Sequence, residues 1–245
     1  MRRAGFAVLT MSMVAAACGR IVTVPKTGSN AGIVPAGNMY IRYRVLGTLD
    51  FVNLHYIVVF NTSGNGVTPL GPGFGTTYLN YSFVLVFGGT QAGGAAYTLL
   101  QVIPIASGGY QTVTLPPAPQ FVTSFNANSS GTGNEFTFTF NRLLLSPLQS
   151  ASPSPSPTPT TAATSIPTLA SGESSLWAIN LFSSDANNNP IDAISNSGIA
   201  DTTFNSYVIN TLAAFDVVVQ KPVPPPVTVT NPNAQIIAAE IINQP

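Results

Sequence analysis

Hydrophobic and polar residues alternate with a period of two in several stretches of the chain, which predicts β-strands with one buried face. Two stretches show this most clearly, residues 39–45 and 135–143. Their apolar faces consist of Ile41, Tyr43 and Val45 in the first stretch and Phe136, Phe138 and Phe140 in the second. In residues 52–60 the second half is apolar at every position, so we expect it to be buried on both faces.

Further strands are predicted where β-branched and aromatic residues lie between turn residues. They span residues 78–87, 97–105, 110–115, 121–125, 176–182, 206–211 and 214–220. The turn residues Ser107-Gly108-Gly109 favour a hairpin between 97–105 and 110–115. About nine or ten strands and no convincing helix predict an all-β protein, an antiparallel β-sandwich of immunoglobulin-like or jelly-roll-like type.

The domain plan follows from the positions of the Pro-rich segments. Residues 146–172 hold a run of alternating Ser or Thr and Pro, which predicts a disordered insertion. Too few strands follow it to close a second core, so a single sandwich is expected over residues 39–221. Residues 222–245 are expected to form a Pro-rich C-terminal tail that docks on the domain or on a partner. Within this tail, residues 235–242 suit a helix or a short strand.

Composition narrows the functional classes. Charged residues make up 7% of the chain and hydrophobic residues 45%, with 21 glycines and 21 prolines. Solubility must therefore come from uncharged polar residues, a pattern that suits exported β-proteins. The sequence contains no basic stripe, so nucleic acid is not an expected partner.

The first 17 residues have the anatomy of an export signal. Arg2 and Arg3 precede a short apolar stretch, residues 6–14, which ends in the small residues Ala15-Ala16-Ala17. The apolar stretch is too short to remain as a membrane span. A signal peptide is therefore predicted over residues 1–17, with cleavage before Cys18.

The sequence Ala15-Ala16-Ala17-Cys18 resembles the lipobox of bacterial lipoproteins, although Ala15 stands where that family prefers leucine. The resemblance implies that Cys18 carries a lipid anchor built from acyl chains such as palmitate. Residues 18–38 would then be the lipidated cysteine and a flexible tether, and the membrane would be a partner. The implied location is exported and membrane-anchored, at the cell surface or in the periplasm. An ordinary signal peptide, which leaves Cys18 as a free thiol, is the alternative.

The one metal hypothesis concerns a loop rich in Asp and Asn. Asp185, Asn187 and Asn189 occupy alternate positions and Asp192 follows, which resembles the start of a calcium-binding loop. Calcium is therefore the one cofactor considered. A polar β-turn explains the same residues, because Pro190 stands where calcium loops carry glycine and the terminal glutamate is missing.

Candidate catalytic groups are few. His55 is the only histidine, and a triad or zinc site lacks its other members. Arg42 and Arg44 share one strand face and suit either an anion clamp or protection of a sheet edge. Among the aromatic residues, Tyr78, Tyr81, Trp177 and Tyr207 suit a sugar platform or, more simply, the core.

These observations predict a non-enzymatic, exported β-sandwich that binds a ligand with the loops at one end, with a glycan or another envelope polymer as the expected class. The alternative is a structural or assembly component of the cell envelope, with an envelope protein as its partner. A third hypothesis is a hydrolase that uses carboxylates alone. Its candidate residues are Asp185, Asp192, Asp201 and Asp216.

Overall fold

The computed structural model describes nine ranges of the chain. They are residues 34–62, 81–88, 97–105, 109–115, 121–127, 131–145, 175–194, 207–221 and 229–245. The predicted signal peptide, Cys18 and the predicted insertion 146–172 lie outside these ranges. Within them no helix is long and apolar enough to cross a bilayer.

Twelve strands make up the described part of the fold. They are β1 (Asn38–Val45), β2 (Leu54–Asn61), β3 (Phe83–Gly88), β4 (Tyr97–Pro104), β5 (Tyr110–Leu115), β6 (Val122–Asn126), β7 (Glu135–Asn141), β8 (Leu176–Asp185), β9 (Pro190–Ala193), β10 (Tyr207–Asn210), β11 (Phe215–Gln220) and β12 (Ile236–Asn243). One short 3₁₀ helix, Arg142–Leu145, follows β7.

The strands form two antiparallel sheets. The first has the order β11-β12-β1-β7-β6, and the second has the order β10-β8-β2-β3-β4-β5, with β9 also paired to β8. The two sheets pack face to face, so the predicted all-β antiparallel sandwich is confirmed. The predicted hairpin β4–β5 is also present, and β6 pairs with β7 in the same antiparallel way.

The core between the sheets is aromatic, and the alternation in β1 and β7 produces it. Ile41, Tyr43 and Val45 of β1 are fully buried, as are the three phenylalanines of β7. Phe136 lies at the centre, because its ring centroid is 5.1 to 6.1 Å from those of six other rings. These rings belong to Tyr43, Phe51, Tyr56, Phe87, Phe125 and Phe138.

Strand β2 is buried on both faces, as its continuous apolar run predicts. Tyr56, Val58 and Phe60 face the aromatic core, whereas Ile57 and Val59 join a second apolar cluster on the other face of the sheet. This double burial explains why the second half of β2 does not alternate in sequence.

The prediction of a C-terminal tail is wrong for its second half. Residues 236–243 form β12, which is hydrogen-bonded between β1 and β11. Its apolar residues Ile236, Ala239 and Ile241 enter the core. The domain therefore extends past residue 221, and β12 is one reason why the described strands outnumber the nine or ten expected.

The end of the predicted tether is also part of the domain. Val34 is buried, and the N–H of Gly37 donates to the carbonyl of Gln244 at 3.0 Å. The N–H of Gln244 in turn donates to the carbonyl of Asn38. These bonds hold the start of β1 beside the end of β12.

We predict that a chain ending at Lys221 does not fold cooperatively, because β1 and β11 both lose the strand that pairs with them. Urea unfolding followed by Trp177 fluorescence provides the measurement. A chain lacking only the exposed Pro245 is the control and should unfold like the full chain. A cooperative transition in the chain ending at Lys221 would show that β12 is dispensable.

Candidate functional site

Because of the directions in which the strands run, one set of loops lies at the end of the sandwich opposite Asn38. Strand β1 runs away from Asn38, and an eight-residue strand spans roughly 26 Å. The turn between β1 and β2, the turn between β8 and β9, and the segments that precede β7 and β12 all lie at its far end. We call this end, formed by residues 46–53, 131–134, 186–189 and 231–235, the polar loop end.

The turn between β1 and β2 is fastened to the segment before β12. The N–H of Gly47 donates to the carbonyl of Pro232, and the N–H of Thr48 donates to Asn233 Oδ1 at 3.0 Å. The approach at Gly47 is so close that a Cβ there would overlap Asn233. These contacts hold the two loops together.

The same turn is fastened to its other neighbours. Leu49 donates its N–H to the carbonyl of Gly133 in the segment before β7. The Tyr56 hydroxyl accepts from the N–H of Asp50 and donates to the carbonyl of Asn233. The polar loop end is therefore braced by hydrogen bonds among three of its four segments.

Asp50 organises the exposed part of this turn. Its Oδ1 accepts from the N–H groups of Val52 and Asn53, and its Oδ2 accepts from Asn53 Nδ2. Partial burial acts to raise the pKa of Asp50, but these hydrogen bonds together lower it below its ordinary value. The carboxylate is thus committed to the local turn.

Asp185 organises the turn between β8 and β9 in the same way. Its Oδ1 accepts from the N–H groups of Asn187 and Asn189, and its Oδ2 accepts from Asn189 Nδ2 at 2.7 Å. The hydrogen bonds from Asn189 are the main reason why the pKa of Asp185 lies below its ordinary value. Asn188 has a φ of 64°, a conformation that asparagine tolerates better than most residues.

His55 lies beside this turn. Its Nδ1 is 3.0 Å from Asn188 Oδ1, and because an amide oxygen only accepts, the contact requires a proton on Nδ1. His55 also lowers the pKa of Asp185 through its charge. The imidazole therefore serves as a hydrogen-bonding group beside the polar loop end.

The structure does not bring the four predicted calcium ligands together. Asp185, Asn187 and Asn189 share the exposed turn, but Asp192 is 1% exposed and lies in the interior. Both of its carboxylate oxygens are 2.8 Å from Lys221 Nζ. The described residues contain no cluster of three acidic, histidine or cysteine side chains suited to a metal. The four-ligand set is therefore corrected to a polar turn and a separate buried residue.

Asp192 belongs to a polar cluster that links the two sheets. Besides Lys221, which follows β11, it binds the N–H of Ile236 in β12, which donates to Asp192 Oδ2 at 2.8 Å. Nearby, the Tyr43 hydroxyl donates to the carbonyl of Phe182 and Ser183 Oγ donates to the carbonyl of Ala234. We call Tyr43, Ser183, Asp192 and Lys221 the inter-sheet cluster. Burial raises the pKa of Tyr43 and lowers that of Lys221.

Arg42 and Arg44 lie on the outward face of the first sheet, where glutamates neutralise them. Arg42 Nε is 3.2 Å from a carboxylate oxygen of Glu240, and Arg44 stands opposite Glu135 in the register of β7. Strand β1 is the middle strand of its sheet, so these arginines do not protect an edge. The same glutamates also argue against an anion clamp formed by Arg42 and Arg44, because their carboxylates already compensate the positive charges.

The other candidates are scattered. Trp177 and Tyr81 are buried, which removes them from a sugar platform, while Tyr78 lies outside the described residues and so does Asp201. Asp216 is also buried, on β11. The carboxylates proposed for a hydrolase therefore do not form a shared site within the described ranges.

Comparison with known proteins gives no match to any protein family, to any curated protein or to any solved structure. The class of this chain is therefore defined by its fold and site geometry. It is an antiparallel β-sandwich with a braced polar loop end.

The hydrogen bonds to Asp185 predict a pH dependence of stability. Because folding lowers its pKa, its contribution is complete above the unfolded value of about 3.9 and disappears as the pH falls through the lower folded value. Asp185→Asn should therefore make the midpoint of thermal unfolding less dependent on pH between about 5 and 2. An asparagine at position 185 would also replace one carboxylate oxygen with an NH₂ group. If that group took the place of Oδ2, it would face the side-chain donor of Asn189 instead of accepting from it.

Asn187→Ser is the matched control, because it changes the same turn and keeps the carboxylate. It should retain the pH dependence of the parent protein. Equal slopes for Asp185→Asn and the parent would contradict the hydrogen bonding described for Asp185.

Proposed function

We propose that this chain is an exported, non-enzymatic ligand-binding protein, anchored through a lipid on Cys18, which binds a glycan or another polar envelope polymer with its polar loop end. The observation that supports the proposal is the position of this surface. Strand β1 begins at Asn38, directly after the proposed tether, and its other end meets the loops. A protein anchored at its N-terminus would therefore direct these loops away from the membrane.

The chemistry of the polar loop end suits an uncharged, hydroxyl-rich ligand. Its exposed groups include the asparagines 53, 187, 188 and 189, whose amides both donate and accept hydrogen bonds. The two carboxylates there, Asp50 and Asp185, are occupied by their own turns. Recognition would thus depend on hydrogen bonds, which are the main polar contacts that a glycan offers.

The bracing also supports a binding role. A loop that is already ordered loses less conformational entropy on binding than a flexible one. At the polar loop end, bonds from Gly47, Thr48 and Leu49 fix the turn between β1 and β2 against two neighbouring segments. The surface is therefore preorganised for a ligand.

We predict that the exported protein is retained on insoluble peptidoglycan or on another neutral polysaccharide, and that a double variant, Asn187→Ala with Asn188→Gly, binds about tenfold more weakly, a loss of ~1.4 kcal/mol. Glycine adopts the positive φ of residue 188 without strain, so the variant removes the amides and preserves the turn. Co-sedimentation with the polymer gives the affinity.

Leu212→Ala is the control, since Leu212 is 53% exposed in the turn between β10 and β11, at the opposite end. It should bind like the parent protein. Equal binding by the double variant and the parent would show that the polar loop end is not the binding site. No retention on any of the polymers would contradict a glycan as the ligand.

A second candidate function is assembly in the cell envelope, and strand β5 is the observation that favours it. This strand is the last one of its sheet within the described residues, and its four middle residues are exposed on both faces. An exposed edge strand can pair with a strand of another chain.

We predict under this alternative that the protein self-associates and that Val113→Lys abolishes association, because a charge on an edge strand opposes pairing. Val113 is 41% exposed. Sedimentation velocity measures the assembly state, and Leu144→Lys, at an equally exposed position outside the strands, is the control. A parent protein that is monomeric at all concentrations tested would eliminate self-assembly.

A further inference from the structure

Lys221 and Asp192 form the most enclosed charged pair in the described part of the chain. Their side chains are 3% and 1% exposed. Lys221 follows β11 in the first sheet, and Asp192 lies in β9 of the second sheet. The pair therefore connects two layers that are otherwise held together by packing and a few hydrogen bonds.

The pair brings the two groups that would react close together. Lys221 Nζ is 2.8 Å from both carboxylate oxygens of Asp192. The carboxyl carbon, which is bonded to both oxygens, therefore lies within about 3.5 Å of Nζ, so the distance suits the reaction, and a rotation about Cβ–Cγ would turn the face of the carboxyl group toward Nζ. Burial in the interface holds this arrangement and removes the entropy loss of bringing the groups together.

Burial penalises the charges of the pair. Removing an ion pair from water penalises its charges, and transfer of one proton from Nζ to the carboxylate cancels both at once. Burial lowers the pKa of Lys221, which increases the share of neutral amine, although Asp192 opposes this effect. A neutral lysine amine is a nucleophile, whereas an ammonium is not.

Asp192 Oδ2 has a donor that would stabilise the developing charge. The N–H of Ile236 donates to this oxygen at 2.8 Å. A fixed backbone donor at an oxygen that gains negative charge during acyl transfer lowers the barrier of the reaction. Oδ1 is the oxygen that is free to leave.

We propose that Lys221 and Asp192 condense into an intramolecular amide that covalently joins the two sheets. One proton moves from Nζ to Oδ1, and the neutral amine then attacks Cγ. The Nζ–Cγ bond forms, the Cγ–Oδ1 bond breaks, and Oδ1 departs as water with a second proton from Nζ. Oδ2 remains as the amide oxygen that accepts from Ile236. The step needs no oxidant or other reactant, and exclusion of water from the site favours it.

A cross-link of this kind suits the composition of the chain. The sequence contains one cysteine, so it cannot form an intramolecular disulfide. An amide between residues 192 and 221 would close a loop in the unfolded chain and thereby reduce its conformational entropy, as a disulfide does in the chain-entropy account.

Peptide mass spectrometry of the full-length protein, isolated folded and then denatured, tests the proposal. Chymotrypsin cleaves after Phe182, Phe204 and Phe215, so residues 192 and 221 fall in separate peptides, 183–204 and 216–245. We expect one linked species with the mass of both peptides less one water, and tandem fragmentation should place the link at Asp192 and Lys221. Recovery of both peptides only in unlinked form would overturn the proposal.

Lys221→Arg is the matched variant, because arginine retains the positive charge beside Asp192 but its guanidinium does not form the amide. We expect the linked species to disappear and both peptides to be recovered separately. Loss of water confined to peptide 183–204 and unchanged by Lys221→Arg would indicate cyclisation of an aspartate, which also overturns the proposal. If the variant fails to fold, the measurement on the parent protein still decides.

Discussion

The position of β12 between β1 and β11 is the constraint on which the rest of the structure depends. These three strands lie side by side although β1 begins the described domain and β12 nearly ends it. The first sheet can therefore close only after the whole domain has been synthesised, and its central pairing joins residues at the greatest separation in sequence. Bringing together residues so far apart in sequence costs a large amount of chain entropy before their contacts can stabilise the fold. The apolar residues of β12, buried against the aromatic core, supply the compensating free energy.

The inter-sheet cluster is a consequence of the same arrangement. Lys221 directly follows β11, and Ile236 begins β12, so the pairing of these two strands places an ammonium and a backbone N–H side by side. Asp192 meets both from the opposite sheet. A buried carboxylate without these donors would be strongly unfavourable, since an unpaired charge loses its hydration without replacement. The cluster thus specifies how the two sheets align, whereas the aromatic core, which is apolar and adaptable, mainly supplies stability.

Local pattern was enough to predict the strands that have one buried face. The alternation in β1 and β7 identifies both the strand and its buried side, because side-chain period and burial coincide there. Strand β12 was predicted only as one of two alternatives, since its isoleucines fit a helical spacing as well as a strand, and the preceding prolines, residues 222–226, suggested a tail outside the domain. At the site, Asp185 and the asparagines after it were predicted to share a loop, but Asp192 was grouped with them by sequence distance. Its partner Lys221 is 29 residues away, and only tertiary structure reveals that contact.

The two ends of β1 connect the fold with the proposed role. At the start of β1, bonds between Gly37, Asn38 and Gln244 secure the point where the proposed tether would enter the domain. At the other end, the turn between β1 and β2 is fastened by backbone N–H donors, one of which donates to Asn233 Oδ1. A force transmitted through the tether would thus act on the central strand of the first sheet, which has partners on both sides. Such an arrangement would keep the polar loop end fixed when the chain is pulled from its N-terminal side, which is what an anchored binding surface requires.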